Sequence, residues 1–289
     1  MKRYLFGIKN YLCNHPEILL FFVIGFLVYA NSLANRFVWD DLSLIVNNQF
    51  IKSPDFFREV FSGKIYDTGS VLDGQEIFYR PLVLFVFGVF YRIFGLHPEG
   101  FHFFQIVLHI INAFFVYNIF RLIFSKSHRD AKRLSLTAGL LFLVHPINTE
   151  SVSYIASFQE VIYTFFVLST LLALLKVNWS RDDNFLQMTF FSWLILLALL
   201  GKESGIIVVP LGLILVLLFK RKLLAVFSLS SLLSVFGYLL LRYRVANISN
   251  DFTGPFPMMQ ASLLAKLQTI PSEMTYYLEK LIFPLNLTI

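Results

Sequence analysis

Two adjacent carboxylates are the strongest chemical signal in the sequence. Asp40 and Asp41 end the run 35–41, which follows a long apolar stretch. Because neighbouring carboxylates repel each other, one of them holds its proton more tightly unless a cation lies nearby. Such a pair can act as a general base or ligate a divalent cation. The alternative interpretation is two solvated loop acids with no role in chemistry.

Cationic side chains form a second set, suited to binding a phosphate. Lys202 and Glu203 interrupt two apolar runs, which predicts a cation oriented by the neighbouring carboxylate. Arg80 precedes an apolar run, and Arg242 and Arg244 follow another, so each could meet an anionic lipid group. The alternatives are a plain helix–helix turn for the first pair and side chains that reach the membrane interface for the last.

A third group of polar residues borders the apolar runs. His145 follows a short apolar run, Glu150 comes five residues later, and Glu160 begins the next run. Such groups are costly near a membrane unless they are paired or solvated in a cavity, which predicts a polar cavity. Helix capping is an equal alternative, with Asn148 or Thr149 starting a helix and Glu150 favoured by its dipole.

The sequence contains none of the common nucleotide-binding or metal-binding motifs. It has no Gly-rich nucleotide loop, no CxxC and no HExxH, so a nucleotide-dependent site is unsupported. His102, His109 and Asn112 share one helical face and predict a polar helix–helix seam rather than a metal site. No cofactor follows with certainty; if a divalent cation such as Mg²⁺ or Mn²⁺ binds, Asp40 and Asp41 are the expected ligands.

The composition describes a membrane protein. Of 289 residues, 57% are hydrophobic and only 15% are charged, whereas soluble domains have about 25% charged residues. The 34 Phe exclude a disordered chain. The net charge of +6 comes largely from basic clusters at the ends of apolar runs. These clusters are topology signals, so no nucleic-acid partner is expected. The single cysteine, Cys13, cannot form an internal disulfide.

The basic clusters also predict how the chain crosses the bilayer. Residues 81–96 are short and interrupted by Arg92. If they lie in the outer membrane interface, or dip into the membrane and return, every basic cluster falls in the cytoplasm. The remaining apolar runs then predict an all-α protein with seven spanning helices, at residues 18–34, 101–124, 134–144, 154–175, 186–200, 205–219 and 223–241. The cytoplasmic clusters are Lys2, Arg3 and Lys9; residues 121–133; Lys176 and Arg181; and Lys220, Arg221 and Lys222.

These assignments predict one membrane domain over residues 1–289. Residues 36–96 form a large first extracytoplasmic loop, with a short helix at 56–61 lying on the membrane surface. Residues 243–289 form an outer-side C-terminal segment with an amphipathic stretch at 262–281, and the chain's early end suggests a truncated protein.

The ordered set of motifs resembles the GT-C glycosyltransferases, multi-spanning enzymes that use lipid-phosphate-linked sugars. Within that class it is most similar to the transmembrane O-mannosyltransferase-like proteins that carry tetratricopeptide repeats. The resemblance extends over residues 31 to about 210. Its matching stretches are 35–41 with Ile45, Asn47 and Asn48; 79–82; 94–95 with 101–102; 145–152; and 201–204.

The resemblance implies inverting transfer of mannose or a similar hexose from a polyprenyl-phosphate donor to a hydroxyl of a protein or glycan. It implies that Asp40 or Asp41 deprotonates the acceptor or helps to bind a metal. The donor phosphate would then meet Lys202, Arg80 and Arg242. The supporting polar residues would be His145, Glu150, Glu160 and Glu203. The reaction is expected at the outer face of a bacterial-type plasma membrane, or at the lumenal face of the endoplasmic reticulum in a eukaryote.

Two departures keep other functions open. The family has a Gly-Arg-Ala-acid run where this chain has residues 157–160, so Phe158 replaces the Arg, and Lys202 or Arg80 would have to substitute for it. The C-terminal repeats are absent from the sequence. The alternatives are a transporter or flippase of an anionic lipid-linked substrate, and a non-catalytic membrane scaffold.

Overall fold

A computed structural model describes residues 16–62, 78–125, 130–176, 184–245 and 262–285. Nine helices of at least twelve residues occur in these ranges: α1 Pro16–Tyr29, α2 Pro81–Phe94, α3 Pro98–Phe124, α4 Ala131–Val144, α5 Phe158–Lys176, α6 Asn184–Gly201, α7 Val208–Phe219, α8 Leu224–Leu240 and α9 Leu263–Ile282. Some predicted features lie outside the described residues, namely Lys2, Arg3, Lys9, Cys13, Lys126, Arg129, Arg181 and parts of the first loop and C-terminal segment.

The helices confirm the predicted all-α, polytopic membrane architecture. Five stretches in the described residues are long and apolar enough to cross a bilayer: Pro16–Ala34, Pro98–Phe124, Ile155–Lys176, Asn184–Gly201 and Arg221–Val245. The other two predicted spans form α4, with 14 residues, and α7, with 12. At 1.5 Å per residue these are about 21 and 18 Å long, shorter than the ~30 Å hydrocarbon core. The count of seven spans therefore stays a prediction.

Close helix packing forms two lobes. In the first lobe α1, α3 and α4 share a buried cluster that includes Phe21, Tyr117 and Leu143. In the second lobe α5, α6, α7 and α8 surround Phe191 and Phe227. Two residues of the predicted polar seam make contacts between helices. The Asn112 side chain of α3 donates to a carbonyl of α5 and so joins the lobes, whereas His109 contacts a carbonyl of α4 within the first lobe.

The described part of the first loop, residues 36–62, packs against α2. Arg92 donates to the carbonyls of Ile51 at 3.1 Å and Ser53 at 2.7 Å. Phe56 and Val60, which belong to the short helix predicted at 56–61, are fully buried against α2 and its neighbours. The loop's short helical turns are Leu42–Val46, Gln49–Lys52 and Phe56–Glu59. Protein contacts therefore fix the position of the loop that carries Asp40 and Asp41.

The two ends of the helical bundle differ in their polar contacts. At one end, buried Glu17 of α1 lies 3.7 Å from Arg121 and 3.8 Å from Lys132. We call this the basic end, because both cations belong to the predicted cytoplasmic cluster at residues 121–133. At the other end lie the first loop, the start of α2, the start of α5 and the ends of α6 and α8. We call it the site end, because the predicted catalytic and phosphate-binding residues meet there.

Candidate functional site

Asp41 is a buried carboxylate that joins two loops at the site end. Its Oδ2 accepts the backbone N–H of Val38 at 3.0 Å, and its Oδ1 accepts that of Ala156 at 2.7 Å. Trp39 has a φ of 46°, an uncommon backbone conformation for this residue. Burial raises the pKa of Asp41 from 3.8 to about 6, although both backbone hydrogen bonds lower it. The side chain therefore holds the loop in place.

Asp40 lies next to Asp41 but is exposed. Its backbone N–H donates to the hydroxyl of Tyr154 at 3.0 Å, and the Trp39 ring meets the Tyr154 ring edge-on at 5.8 Å. These contacts fix the backbone, while Asp40 itself stays exposed. Geometry thus divides the acidic pair into a reachable acid and an anchoring acid.

The acidic pair does not fit a shared divalent cation. Both oxygens of Asp41 already accept a backbone N–H, and its side chain is buried whereas that of Asp40 is exposed. Divalent cations such as Mg²⁺ require several oxygen ligands converging on one point. No group of three His, Cys, Asp or Glu side chains suited to a metal occurs in the described parts of the chain. Asp40 and Asp41 therefore do not form a shared metal site.

Residues 151–157, which contact the acidic pair, are held in place by hydrogen bonds from α3 and the first loop. Gln105 of α3 donates to the carbonyls of Ser151 at 2.6 Å and Tyr154 at 2.8 Å. Asn35 donates to the carbonyl of Ser153 at 3.4 Å. The turn Ile155–Ser157 then leads directly into α5. Asp40 and Asp41 therefore rest on a segment fixed to the helical core.

The predicted phosphate-binding cations meet around Glu203. Its Oε2 lies 2.9 Å from Nε of Arg80, and its Oε1 lies 3.2 Å from Nη1 of Arg242. Arg242 is buried, and its guanidinium also donates to the hydroxyl of Tyr238 at 3.1 Å. Arg242 is thus an organised part of the site, whereas Arg244 is exposed.

Lys202 pairs with Glu160, not with its neighbour Glu203 as the sequence suggested. The backbone at Lys202 is extended, with φ −161° and ψ 146°, so successive side chains point in opposite directions. Glu203 is therefore free to bind the two arginines, and Lys202 reaches α5. Arg80 also donates to Gln159, the residue before Glu160.

These contacts define one cation cluster, consisting of Arg80, Lys202, Arg242, Glu160 and Glu203. Among these five side chains the charges sum to 3 − 2 = +1. Their exposed side-chain fractions lie between 8% and 30%, so the charges are shielded from water but reachable. In such surroundings electrostatic attraction to a phosphate is stronger than in open solvent.

The acidic pair and the cation cluster share one short piece of chain. Asp40 and Asp41 bind its start, at Tyr154 and Ala156, and the cations bind Gln159 and Glu160. Ala156 and Glu160 are only four residues apart in the sequence. The structure therefore brings the loop of the acidic pair and the cation cluster onto the same segment, residues 154–160.

Two predicted supporting residues lie apart from these contacts. His145 Nδ1 accepts the N–H of Ile147 at 3.3 Å, and its Nε2 lies 2.9 Å from the carbonyl of Leu281 in α9. It therefore caps the turn Pro146–Asn148 and contacts the C-terminal helix. Glu150 is exposed in the first turn of the short helix Thr149–Ser153, as the capping interpretation predicts.

Phe158, where the resemblance led us to expect an Arg, is buried in an aromatic cluster. It is 3% exposed and packs among aromatic rings that include Phe87 and Phe90. Its large apolar side chain is stable there because the first loop and α2 cover it. In this chain, the polar contacts at this point come from Gln159 and Glu160.

Three positioning residues were not found from the sequence. Tyr154 contacts Asp40, Gln105 supports Tyr154, and Gln159 contacts Arg80. The only available signal was a glutamine in the long apolar run 101–124 and a polar pair at the start of the run 154–175. Neither identifies a partner without the tertiary fold.

The fold and site together define a polytopic, all-α membrane protein with a charged cluster at one end of its helices. The chain is homologous to the TMTC protein O-mannosyl-transferases, as its motifs indicated. It is 27% identical over 206 residues to a Caenorhabditis elegans protein O-mannosyl-transferase, 30% over 199 residues to mouse TMTC3, and 29% over 244 residues to mouse TMTC2.

The three alignments cover 71%, 68% and 78% of this chain but only 28%, 21% and 29% of the relatives. The chain thus spans about a quarter of the length of the curated relatives it matches. No protein-family profile matches the chain. No solved structure matches it.

Proposed function

We propose that the chain is the catalytic membrane part of a GT-C-type glycosyltransferase. It transfers a mannose or similar hexose from a polyprenyl-phosphate donor to a hydroxyl of a protein. The observation that carries the proposal is the meeting of exposed Asp40 and the cation cluster on the segment 154–160. The names of the relatives support mannose as the sugar and a protein as the acceptor.

In the proposed reaction Asp40 takes up the proton, and the cation cluster stabilises the leaving phosphate. A carboxylate oxygen of Asp40 takes the proton of the acceptor hydroxyl while the oxygen of that hydroxyl attacks C1 of the sugar. The bond between C1 and the phosphate oxygen breaks, and the electron pair leaves with the lipid phosphate. Attack opposite the leaving phosphate inverts the configuration at C1. Exposed Asp40 then releases its proton to water.

The cation cluster stabilises the negative charge that grows on the leaving phosphate. Arg80, Lys202 and Arg242 are already held by carboxylates and by Tyr238, so little reorganisation is needed. Their positions at the ends of α2, α6 and α8 suit a phosphate whose lipid tail remains in the bilayer. Asp41 acts as a positioning residue that keeps Asp40 against Tyr154.

Charge asymmetry supports an extracytoplasmic site. The basic end carries Arg121 and Lys132, which belong to a predicted cytoplasmic cluster. The site end is then exposed to the outer or lumenal compartment, where a protein acceptor would approach. A bacterial-type plasma membrane or an endoplasmic reticulum membrane fits this arrangement.

The test is a transfer assay in proteoliposomes with a mannosyl polyprenyl phosphate and a peptide rich in Ser and Thr. Asp40→Asn is expected to lower the rate about 10²–10⁴-fold, the usual contribution of a positioned base. Asp55→Asn changes an exposed acid of the same loop and should leave the rate unchanged. Transfer that survives Asp40→Asn combined with Asp41→Asn overturns the assignment. Movement of the lipid across the bilayer without bond cleavage supports a transporter instead.

A further inference from the structure

His102 is a buried polar residue of α3 that the proposed reaction does not use. It is 1% exposed, and neither of its ring nitrogens has a hydrogen-bond partner among the described residues. A neutral imidazole carries one N–H donor and one acceptor nitrogen. Because buried polar groups in folded proteins are nearly always hydrogen-bonded, a partner for this ring is expected.

A second unpaired atom lies one turn further along α3, on the same helical face. Gln105 is fully buried, and its Oε1 has no partner in the described part of the chain. The other end of its amide is well paired, since Nε2 donates to the carbonyls of Ser151 at 2.6 Å and Tyr154 at 2.8 Å. Residues three apart on a helix have Cβ atoms about 5–6 Å apart, so one small molecule can bridge the two side chains.

We infer that a buried water molecule bridges a ring nitrogen of His102 and the Oε1 of Gln105. The amide oxygen only accepts hydrogen bonds, which excludes an anion as the bridging group. Two neutral side chains also provide too few ligands for a metal ion. Water fits both groups, because it donates to the amide oxygen and accepts from the imidazole N–H. Buried waters typically make about two to four such bonds to groups that protein atoms leave unpaired.

The bridging water fixes the orientation of the Gln105 amide. If this amide turned over, its oxygen would face the carbonyl oxygens of Ser151 and Tyr154, and both hydrogen bonds would be lost. The hydroxyl of Tyr154 in turn accepts the backbone N–H of Asp40 at 3.0 Å. His102 is thus a positioning residue that acts on Asp40 through the water, Gln105 and Tyr154. This role in catalysis rests on the proposed function, whereas the water site does not.

A double-mutant cycle on the full chain in detergent tests the bridge without any assay of activity. His102→Leu removes both ring nitrogens and leaves the Oε1 of Gln105 without its link, so the unfolding temperature should fall by at least about 2 °C. Gln105→Met should lower it as well. The two changes together should cost clearly less than the sum of the separate losses, because each removes the partner of the other.

Asn112→Leu is the matched control. Asn112 is also fully buried on α3, with one oxygen unpaired among the described residues, and it donates to the carbonyl of Val161 at 2.8 Å. It lies seven residues beyond Gln105, about 10 Å along the helix, so its loss should simply add to that of Gln105→Met.

Two results overturn the bridge. One is a His102→Leu variant that is as stable as the original protein, or whose loss adds fully to that of Gln105→Met. The other is a high-resolution cryo-EM map of the unaltered protein without density between the imidazole and the amide, including a map in which the two side chains bond directly.

Kinetics with a mannosyl polyprenyl phosphate test the positioning role separately. His102→Leu should lower kcat about tenfold or more and leave KM for the donor within about twofold, because a displaced base slows the chemical step rather than binding. His102→Gln keeps a donor and an acceptor and should restore most of the rate. An unchanged kcat together with the coupled unfolding refutes only the positioning role. If the unaltered protein transfers no sugar but shows the coupling, the proposed function fails and the water site stands.

Discussion

The Oδ1 of Asp41 accepts the backbone N–H of Ala156 at 2.7 Å, across 115 positions of sequence. This bond joins the first loop to the turn that begins α5. The same turn leads to Gln159 and Glu160, which contact the cations. A single buried carboxylate therefore connects the proposed base to the proposed phosphate site, and its ionisation should affect both.

Asp41→Asn should change how the protein's stability depends on pH. Native Asp41 holds its proton up to about pH 6, whereas the unfolded chain releases it near 3.8. Since the native state binds more protons in this window, this group's contribution to the free energy of unfolding falls as pH rises from about 4 to 6. The full difference corresponds to about 3 kcal/mol.

Thermal unfolding in detergent at several pH values, for both proteins, measures this effect. Asparagine cannot ionise, so the stability of the variant relative to the original protein should improve as the pH rises through this window. Parallel curves for the two proteins would contradict a raised pKa at Asp41.

Arg242→Met should slow catalysis, because the leaving phosphate loses a cation that stabilises its negative charge. The proposed role predicts a loss of about 10²-fold in kcat/KM, comparable to removing one preorganised donor from a developing anion. Arg244→Met removes an exposed arginine from the same helical turn and should stay within about twofold. Steady-state kinetics with the lipid donor gives both values. Equal losses in the two variants would show that only general surface charge matters.

Gly139→Leu should destabilise the first lobe. A Cβ at Gly139 would lie 2.6 Å from the Phe21 ring and 3.0 Å from the Ala113 carbonyl, because α3 and α4 pack closely there. Overpacking at such a contact costs about 1–3 kcal/mol. Gly237→Leu on α8 meets nothing within 4 Å and is the matched control. The prediction fails if both variants unfold at the same temperature in one detergent.

Glu17→Gln should loosen the basic end. The Glu17 side chain is only 5% exposed and faces both Arg121 and Lys132, so its loss leaves two cations without their shared anion. Because those partners are 47% and 63% exposed, we expect a cost of about 1–2 kcal/mol rather than the larger value of a fully buried pair. Asp130→Asn breaks an exposed pair with Arg133 and should cost less than about 0.5 kcal/mol. Comparable shifts in unfolding temperature for Glu17→Gln and Asp130→Asn would contradict the argument that burial makes the Glu17 contacts stronger.

Much of the architecture could be predicted from the sequence. Long apolar runs have few ways to satisfy their backbone in a bilayer, so each forms a helix almost regardless of its neighbours. Arg92 shows where this reasoning stops. The sequence marked it as an interruption of a short run, and the structure shows that it fixes the first loop through Ile51 and Ser53.

The candidate site was predictable in its residue types but not in its pairings. Scarce charges in an apolar chain predict that each needs a partner, and Lys202, Arg80 and Arg242 were found on that basis. Their partners are 39 to 123 residues away in sequence, so local patterns could not name them. Glu203 is an example, because the sequence predicted that it orients Lys202. The extended backbone at Lys202 points the two side chains in opposite directions.

The sequence by itself determined a helical membrane protein with an acidic pair and a few cations at the ends of its helices. Apolar length and charge scarcity are sufficient for that, because they act locally. The tertiary structure decided which acid is reachable and which is buried, and which carboxylate holds which cation. Those outcomes depend on burial and on contacts between distant segments, and these exist only once the helices have packed.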